Sequence, residues 1–90
     1  MAKYKVILQS QPEKYFEKTD THTAEALEVC FKNLEENPFY LAGKIRPLKG
    51  HKGLYRYVVR GLRVIYEIDQ IQTKVGVLTI FPRGDVYKKI

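Results

Sequence analysis

The chain has one cysteine, Cys30, and no tryptophan. A lone thiol cannot close an internal disulfide, so a reducing cytoplasm is the expected home. No stretch approaches the roughly 20 uninterrupted apolar residues of a membrane-spanning helix, so no membrane partner is expected. The opening residues, MAKYKVILQSQPEK, alternate charged with apolar positions and lack the apolar block of a secretory leader. Metal-ligand spacing is missing too: His22, His51 and Cys30 stand isolated in the sequence. KGHKG is glycine-rich but precedes no helix pattern and matches no phosphate loop, so neither a metal nor a nucleotide cofactor is expected. Repeats, low-complexity tracts and linkers are also absent, and 90 residues can support only one core, giving a single domain over residues 1–90.

Acidic residues are scarce in one half of the chain. Residues 1–40 carry 5 Lys/Arg against 7 Asp/Glu, a net of −2, whereas residues 41–90 carry 11 against 3, a net of +8. The basic half points to a polyanionic partner, a nucleic acid or an acidic protein.

What is present reads as an α+β domain. KYKVIL, residues 3–8, alternates Tyr4, Val6 and Leu8 with Lys3, Lys5 and Ile7, the period of a half-buried strand. Ser10 and Glu13 have capping-box spacing and Pro12 suits a first turn, so a short helix is predicted to about Lys18. Leu27, Cys30, Phe31 and Leu34 then recur at i, i+3, i+4 and i+7, predicting an amphipathic helix that ends before Asn37-Pro38. Asp20, Thr21 or Thr23 is its candidate cap, and Glu25 is expected in its first turn. Cys30 falls on the apolar stripe and is read as a buried, inert thiol. Residues 38–53, PFYLAGKIRPLKGHKG, read as a basic loop.

The segment GLYRYVVRGLRVIYEI follows as a β-hairpin. A two-residue turn at Arg60-Gly61 sets Val59 against Leu62 and Tyr55 against Tyr66. Tyr55, Tyr57, Val59, Leu62, Val64, Tyr66 and Ile68 then form one apolar face, on which the helices should pack. The other face holds Arg56, Val58, Arg63, Ile65 and Glu67. Arg56 and Arg63 become diagonal neighbours, about 7–8 Å apart, close enough to hold one phosphate between them. A last strand, KVGVLTIF, completes a three-stranded meander, and Arg83 and Tyr87 follow it.

The predicted architecture is therefore strand, helix, helix and a three-stranded antiparallel meander, with the helices on one face. Arg56, Arg63, Arg83 and Tyr87, with Lys44, Arg46, Lys49 and Lys52 around them, form the candidate site. Converging guanidiniums can stabilise the charge of a phosphorane-like state without a metal, which is one route to RNA cleavage. That route also needs a base and an acid, and arginines beside a tyrosine favour its phenolate. The same arginines could instead pair with Glu67 or with an acidic partner.

The order of elements, the KIRPLKG loop, LYRYVVRGLRVIYEI, and an arginine shortly before a C-terminal VY together resemble the RelE/ParE superfamily of bacterial type II toxin–antitoxin toxins. The likeness spans nearly the whole chain. Resemblance to the RelE branch implies a metal-free endoribonuclease that cuts mRNA on the ribosome by attack of the 2′-OH. It also implies roles: Arg56 as a basic residue on the first meander strand, Arg63 steadying the scissile phosphate, Arg83 assisting the leaving oxygen and Tyr87 as the base. A second basic residue often found on that strand is replaced here by Val58, with Lys49 or Lys52 from the loop as its substitute. An antitoxin with an acidic, amphipathic C-terminal segment is the implied protein partner. Two other readings stay open: a ParE-like DNA gyrase inhibitor without nuclease chemistry, and a catalytically silent relative.

Overall fold

The computed structural model describes residues 3–82. Seven elements follow in chain order: β1 (Lys5–Leu8), α1 (Ser10–Lys18), α2 (Thr21–Glu36), β2 (Ile45–Pro47), β3 (Leu54–Val59), β4 (Leu62–Asp69) and β5 (Lys74–Pro82). The strands make one sheet in the order β1-β5-β4-β3-β2, antiparallel except for the parallel pair of β1 with β5. The α+β architecture and the helices on one face agree with the sequence reading. The edge strand β2 was not anticipated, because three residues ending in Pro47 inside a Gly/Pro-rich stretch carry no strand period.

Both helices start on local chemistry. Asp20 caps α2: its carboxylate accepts from Thr23 N–H at 3.2 Å and from Thr23 Oγ1 at 2.6 Å. Those hydrogen bonds, the side-chain one foremost, hold the Asp20 carboxyl below its usual range. With the helix starting at Thr21, Glu25 lies past the first turn and no acidic residue occupies it. The expected capping box at Ser10 does not form, since Ser10 is already helical and Gln9 takes the cap position without a side-chain bond. Pro12 sits buried in the first turn of α1, where its missing N–H costs nothing.

The main core lies between α2 and the sheet. Leu27, Cys30 and Leu34 meet Ile45, Tyr57, Val59, Leu62, Val64, Tyr66, Val75, Val77 and Ile80. Burial pushes the Cys30 thiol up, which keeps it in its inert form. Two phenols enter this core with partners: Tyr66 donates to the Pro38 carbonyl at 2.7 Å, and Asn33 Nδ2 donates to Tyr57 Oη at 2.8 Å. Tyr66 also stacks on Tyr55, with ring centroids 5.7 Å apart.

The hairpin has the predicted register, from Val59↔Leu62 to Tyr55↔Tyr66. Arg60 and Gly61 have φ of 48° and 78°, the left-handed pair that matches a tight turn to the twist of its strands. The partner strand β5 is less regular. Its ladder with β4 slips between Ile65 and Tyr66, which pair with Thr79 and Val77 and leave Leu78 as a bulge. The slip changes the inward parity, so Val75, Val77 and Ile80 enter the main core while Phe81 turns to the opposite face.

Beyond the bulge, a side chain takes over the work of a strand. The β1–β5 ladder ends at Leu8↔Val77, and Gln11 of α1 then reaches the exposed backbone of β5. Its Nε2 donates to the Ile80 carbonyl at 2.7 Å and its Oε1 accepts from Ile80 N–H at 2.8 Å. One amide thus satisfies both polar groups of a residue at the sheet edge.

Candidate functional site

The sheet face away from the helices carries the cations, but it is not bare. Ile65, placed from sequence on the same face as the arginines, is fully buried with Leu48 and Phe81 in a second small cluster, and Leu54 packs against it. Leu48 arrives from the segment after β2 and Phe81 arrives through the bulge. Ile65 pairs directly with Arg56 on β3 and lies two residues from Arg63 on β4. Both arginines are half-buried and their Nε atoms are inaccessible to solvent, as expected for guanidinium stems lying on an apolar floor. Arg63 Nε has no hydrogen-bond partner among the described residues.

The unanticipated strand β2 supplies the decisive neighbour. Arg46, read from sequence as a loop residue, pairs with Arg56 directly across the β2–β3 ladder. Like charges in that relation are destabilising unless an anion lies between them. A groove of about 490 Å³ opens beside the pair, lined by Arg46, Pro47, Leu48, Lys49, His51 and Arg56. A larger depression, about 620 Å³, runs along α1 past Lys14, Tyr15 and Lys18 but holds none of the predicted site residues. Chemistry favours the smaller one, where three cations meet an apolar wall.

Of the residues selected from sequence, Arg46, Lys49 and Arg56 line one groove, and Arg63 shares the face with Arg56. Lys44 and Lys52 are exposed and do not line it. The Lys44 charge reaches the Cys30 thiol, and its carbonyl accepts from Val58 N–H at 3.0 Å. Arg83 and Tyr87 lie outside the described residues. Tyr57 and Tyr66 offer no substitute base, because they sit in the core and burial pushes both phenols up. The sequence shows His51 only as an isolated histidine without metal-ligand spacing, and it does not reveal the apolar floor, whose parts are far apart in the chain. Among the described residues no group of three or more His, Cys, Asp and Glu could hold a metal ion, and no helix is long and apolar enough to cross a membrane.

The family model described as the ParE toxin of type II toxin–antitoxin systems, parDE, matches residues 6–87. The chain belongs to this ParE toxin family. It is a toxin of the RelE/ParE superfamily, as the sequence resemblance implied. No curated protein matches it. Solved structures show that its fold is RelE-like. The archaeal RelE–RelB complex of Pyrococcus horikoshii is similar over 93% of this chain and 99% of that chain, with TM-score 0.80 and 23% identity. The RelBE2 toxin–antitoxin complex of Mycobacterium tuberculosis gives TM-score 0.73 at 24% identity, over 94% of this ParE-family chain and 97% of that one. A YoeB/ParE toxin of Agrobacterium tumefaciens gives TM-score 0.73 at 23% identity, over 88% and 98%.

Proposed function

We propose that this toxin is a ribosome-dependent mRNA endoribonuclease that arrests translation in the cytoplasm. The observation that carries the reading is the gathering of Arg46, Arg56 and Arg63 on one sheet face around a buried apolar floor. In the proposed reaction the 2′-oxygen attacks the adjacent phosphorus as its proton passes to Tyr87. The P–O5′ bond then breaks and the 5′-oxygen takes up a proton, leaving a 2′,3′-cyclic phosphate and a 5′-hydroxyl. The charge that builds on the non-bridging oxygens is met by Arg56 and Arg63, and Arg83 assists the leaving oxygen. Arg46 supplies the second cation beside β3 that Val58 does not, because it stands opposite Arg56 on the neighbouring strand. Lys49, with Lys44 and Lys52 nearby, draws in the RNA backbone, and no metal or cofactor is called upon. An antitoxin with an acidic, amphipathic segment would silence the toxin by covering the same face.

Primer extension on ribosome-bound mRNA with the purified protein tests this reading, and discrete cuts in the decoding site are expected. Arg63→Ala should slow cutting about 100-fold or more, as for loss of one oxyanion donor. Tyr87→Phe should slow it by a similar or larger factor, about 10²–10⁴ for a lost general base. Both should relieve growth arrest with thermal unfolding nearly unchanged; full toxicity in both variants would refute the nuclease. A second reading draws on the ParE family match: inhibition of DNA gyrase by binding alone. Intact mRNA together with accumulated gyrase–DNA complexes would establish it.

A further inference from the structure

The groove beside Arg46 and Arg56 is lined by two kinds of residue, and only one suits a phosphate. Arg46, Lys49 and Arg56 are cationic, while Pro47, Leu48 and His51 bring apolar or ring-bearing side chains to the same groove. At about 490 Å³ the space exceeds what a phosphate alone would need and falls in the usual range of small-ligand sites.

His51 is held in place by its own backbone. Its N–H donates to the Leu48 carbonyl at 3.1 Å, and its carbonyl accepts from Leu54 N–H at 3.1 Å. Leu48 N–H in turn donates to the Leu54 carbonyl at 2.9 Å, closing the loop on itself. Gly50 and Gly53 flank His51 with φ of 83° and 85°, a conformation that side-chain-bearing residues rarely adopt, so the tight path depends on them. Leu48 is anchored against Ile65 and Phe81. His51 is thus a half-buried residue on a pinned loop, lining the same groove as the paired arginines. Proteins that bind single-stranded RNA hold unstacked bases on such planar side chains, histidine among them, next to cations that grip the backbone.

We propose that His51, with Pro47 and Leu48, forms a nucleobase subsite that stacks the base adjoining the phosphate held by Arg46 and Arg56 in a single-stranded RNA. The proposal rests on the reading of this face as an RNA surface. It makes His51 a determinant of substrate choice and leaves proton transfer to other groups.

Binding of a short, fluorescent, 2′-O-methylated oligoribonucleotide, which cannot be cut, tests the subsite by anisotropy with the full chain. His51→Phe keeps a stacking ring and should bind within about twofold of the unsubstituted protein, whereas His51→Ala and His51→Lys should lose about tenfold or more. An oligonucleotide lacking the base at the contacted position should bind the unsubstituted protein and His51→Ala alike. Retained binding by His51→Lys with loss by His51→Phe would overturn the proposal. So would equal affinity of the unsubstituted protein for the intact and abasic oligonucleotides, since the groove would then read anionic charge alone, as an acidic peptide could supply. The two readings fail separately. Intact ribosomal mRNA with the expected oligonucleotide pattern refutes the nuclease and supports the subsite, while cut mRNA with unchanged binding by His51→Ala refutes the subsite alone.

Discussion

Arg46→Thr removes one of two arginines paired directly across β2 and β3, and the loss of their mutual repulsion should make the free protein more stable. Directly opposed residues have Cβ atoms about 4.5–5.5 Å apart, and long side chains can splay their charges to roughly 7 Å. Two unit charges at ~7 Å repel by about 0.6 kcal/mol in bulk water and about 2.4 kcal/mol at an effective dielectric of ~20. Arg46 is exposed, so the low end applies and a gain of about 0.5–1 kcal/mol is expected. Threonine is at home in a strand and adds no strain of its own. For a domain of this size that gain is a rise in Tm of about 2–8 °C. Thermal unfolding followed by circular dichroism at about 20 mM NaCl should show the rise. At about 0.5 M NaCl, where the screening length falls to roughly 4 Å, most of it should vanish. A variant less stable than the parent at low salt, or a gain indifferent to salt, would refute the idea that the two arginines are held together against their own repulsion.

Gln11→Leu should cost about 1–3 kcal/mol, because both polar groups of Ile80 lose their partner while the bulk is kept. Amide exchange at Ile80 should quicken with it, and unchanged protection would show that the clasp is dispensable. Asp20 makes stability depend on acid. Its folded carboxyl titrates below the ordinary value, so its contribution is fully present above the unfolded pKa of about 3.9 and is lost as pH falls through the lower folded one. Asp20→Asn keeps a capping group that does not titrate, and its Tm should fall less steeply below about pH 4 than the parent's; parallel curves would remove Asp20 from the account.

The sequence disclosed those parts of the fold that repeat at short range. Alternation from Tyr55 to Ile68 and the Arg60-Gly61 turn together determine one register, since a one-residue slip would turn every tyrosine to the wrong face. Leu27, Cys30 and Leu34 show the buried stripe of α2 in the same way. The missed features have no local period. β2 is recognisable only by its partner β3, and with it went the pairing of Arg46 and Arg56. KVGVLTIF reads as an unbroken strand because a bulge depends on which residue opposes it. Ser10 lost the cap position to Gln9 although the capping-box residues are present, showing that composition at a helix start leaves one residue of freedom. The candidate site was therefore half visible: its cations could be picked out, but the floor of Leu48, Ile65 and Phe81 and the poise of His51 come from contacts between distant segments.

The bulge at Leu78 also bears on how such a chain can vary over time. Val75 and Val77 lie before it, Ile80 and Phe81 after it, and the last two serve different clusters on opposite sides of one sheet. A substitution within this stretch alters one contact. Loss or gain of a single residue leaves an equally strand-like, equally apolar segment, yet exchanges the destinations of Ile80 and Phe81 and moves the backbone that Gln11 clasps. Between Val77 and Phe81 the count of residues is thus constrained more tightly than their identity, so side-chain exchange should be tolerated there far more often than a change in length.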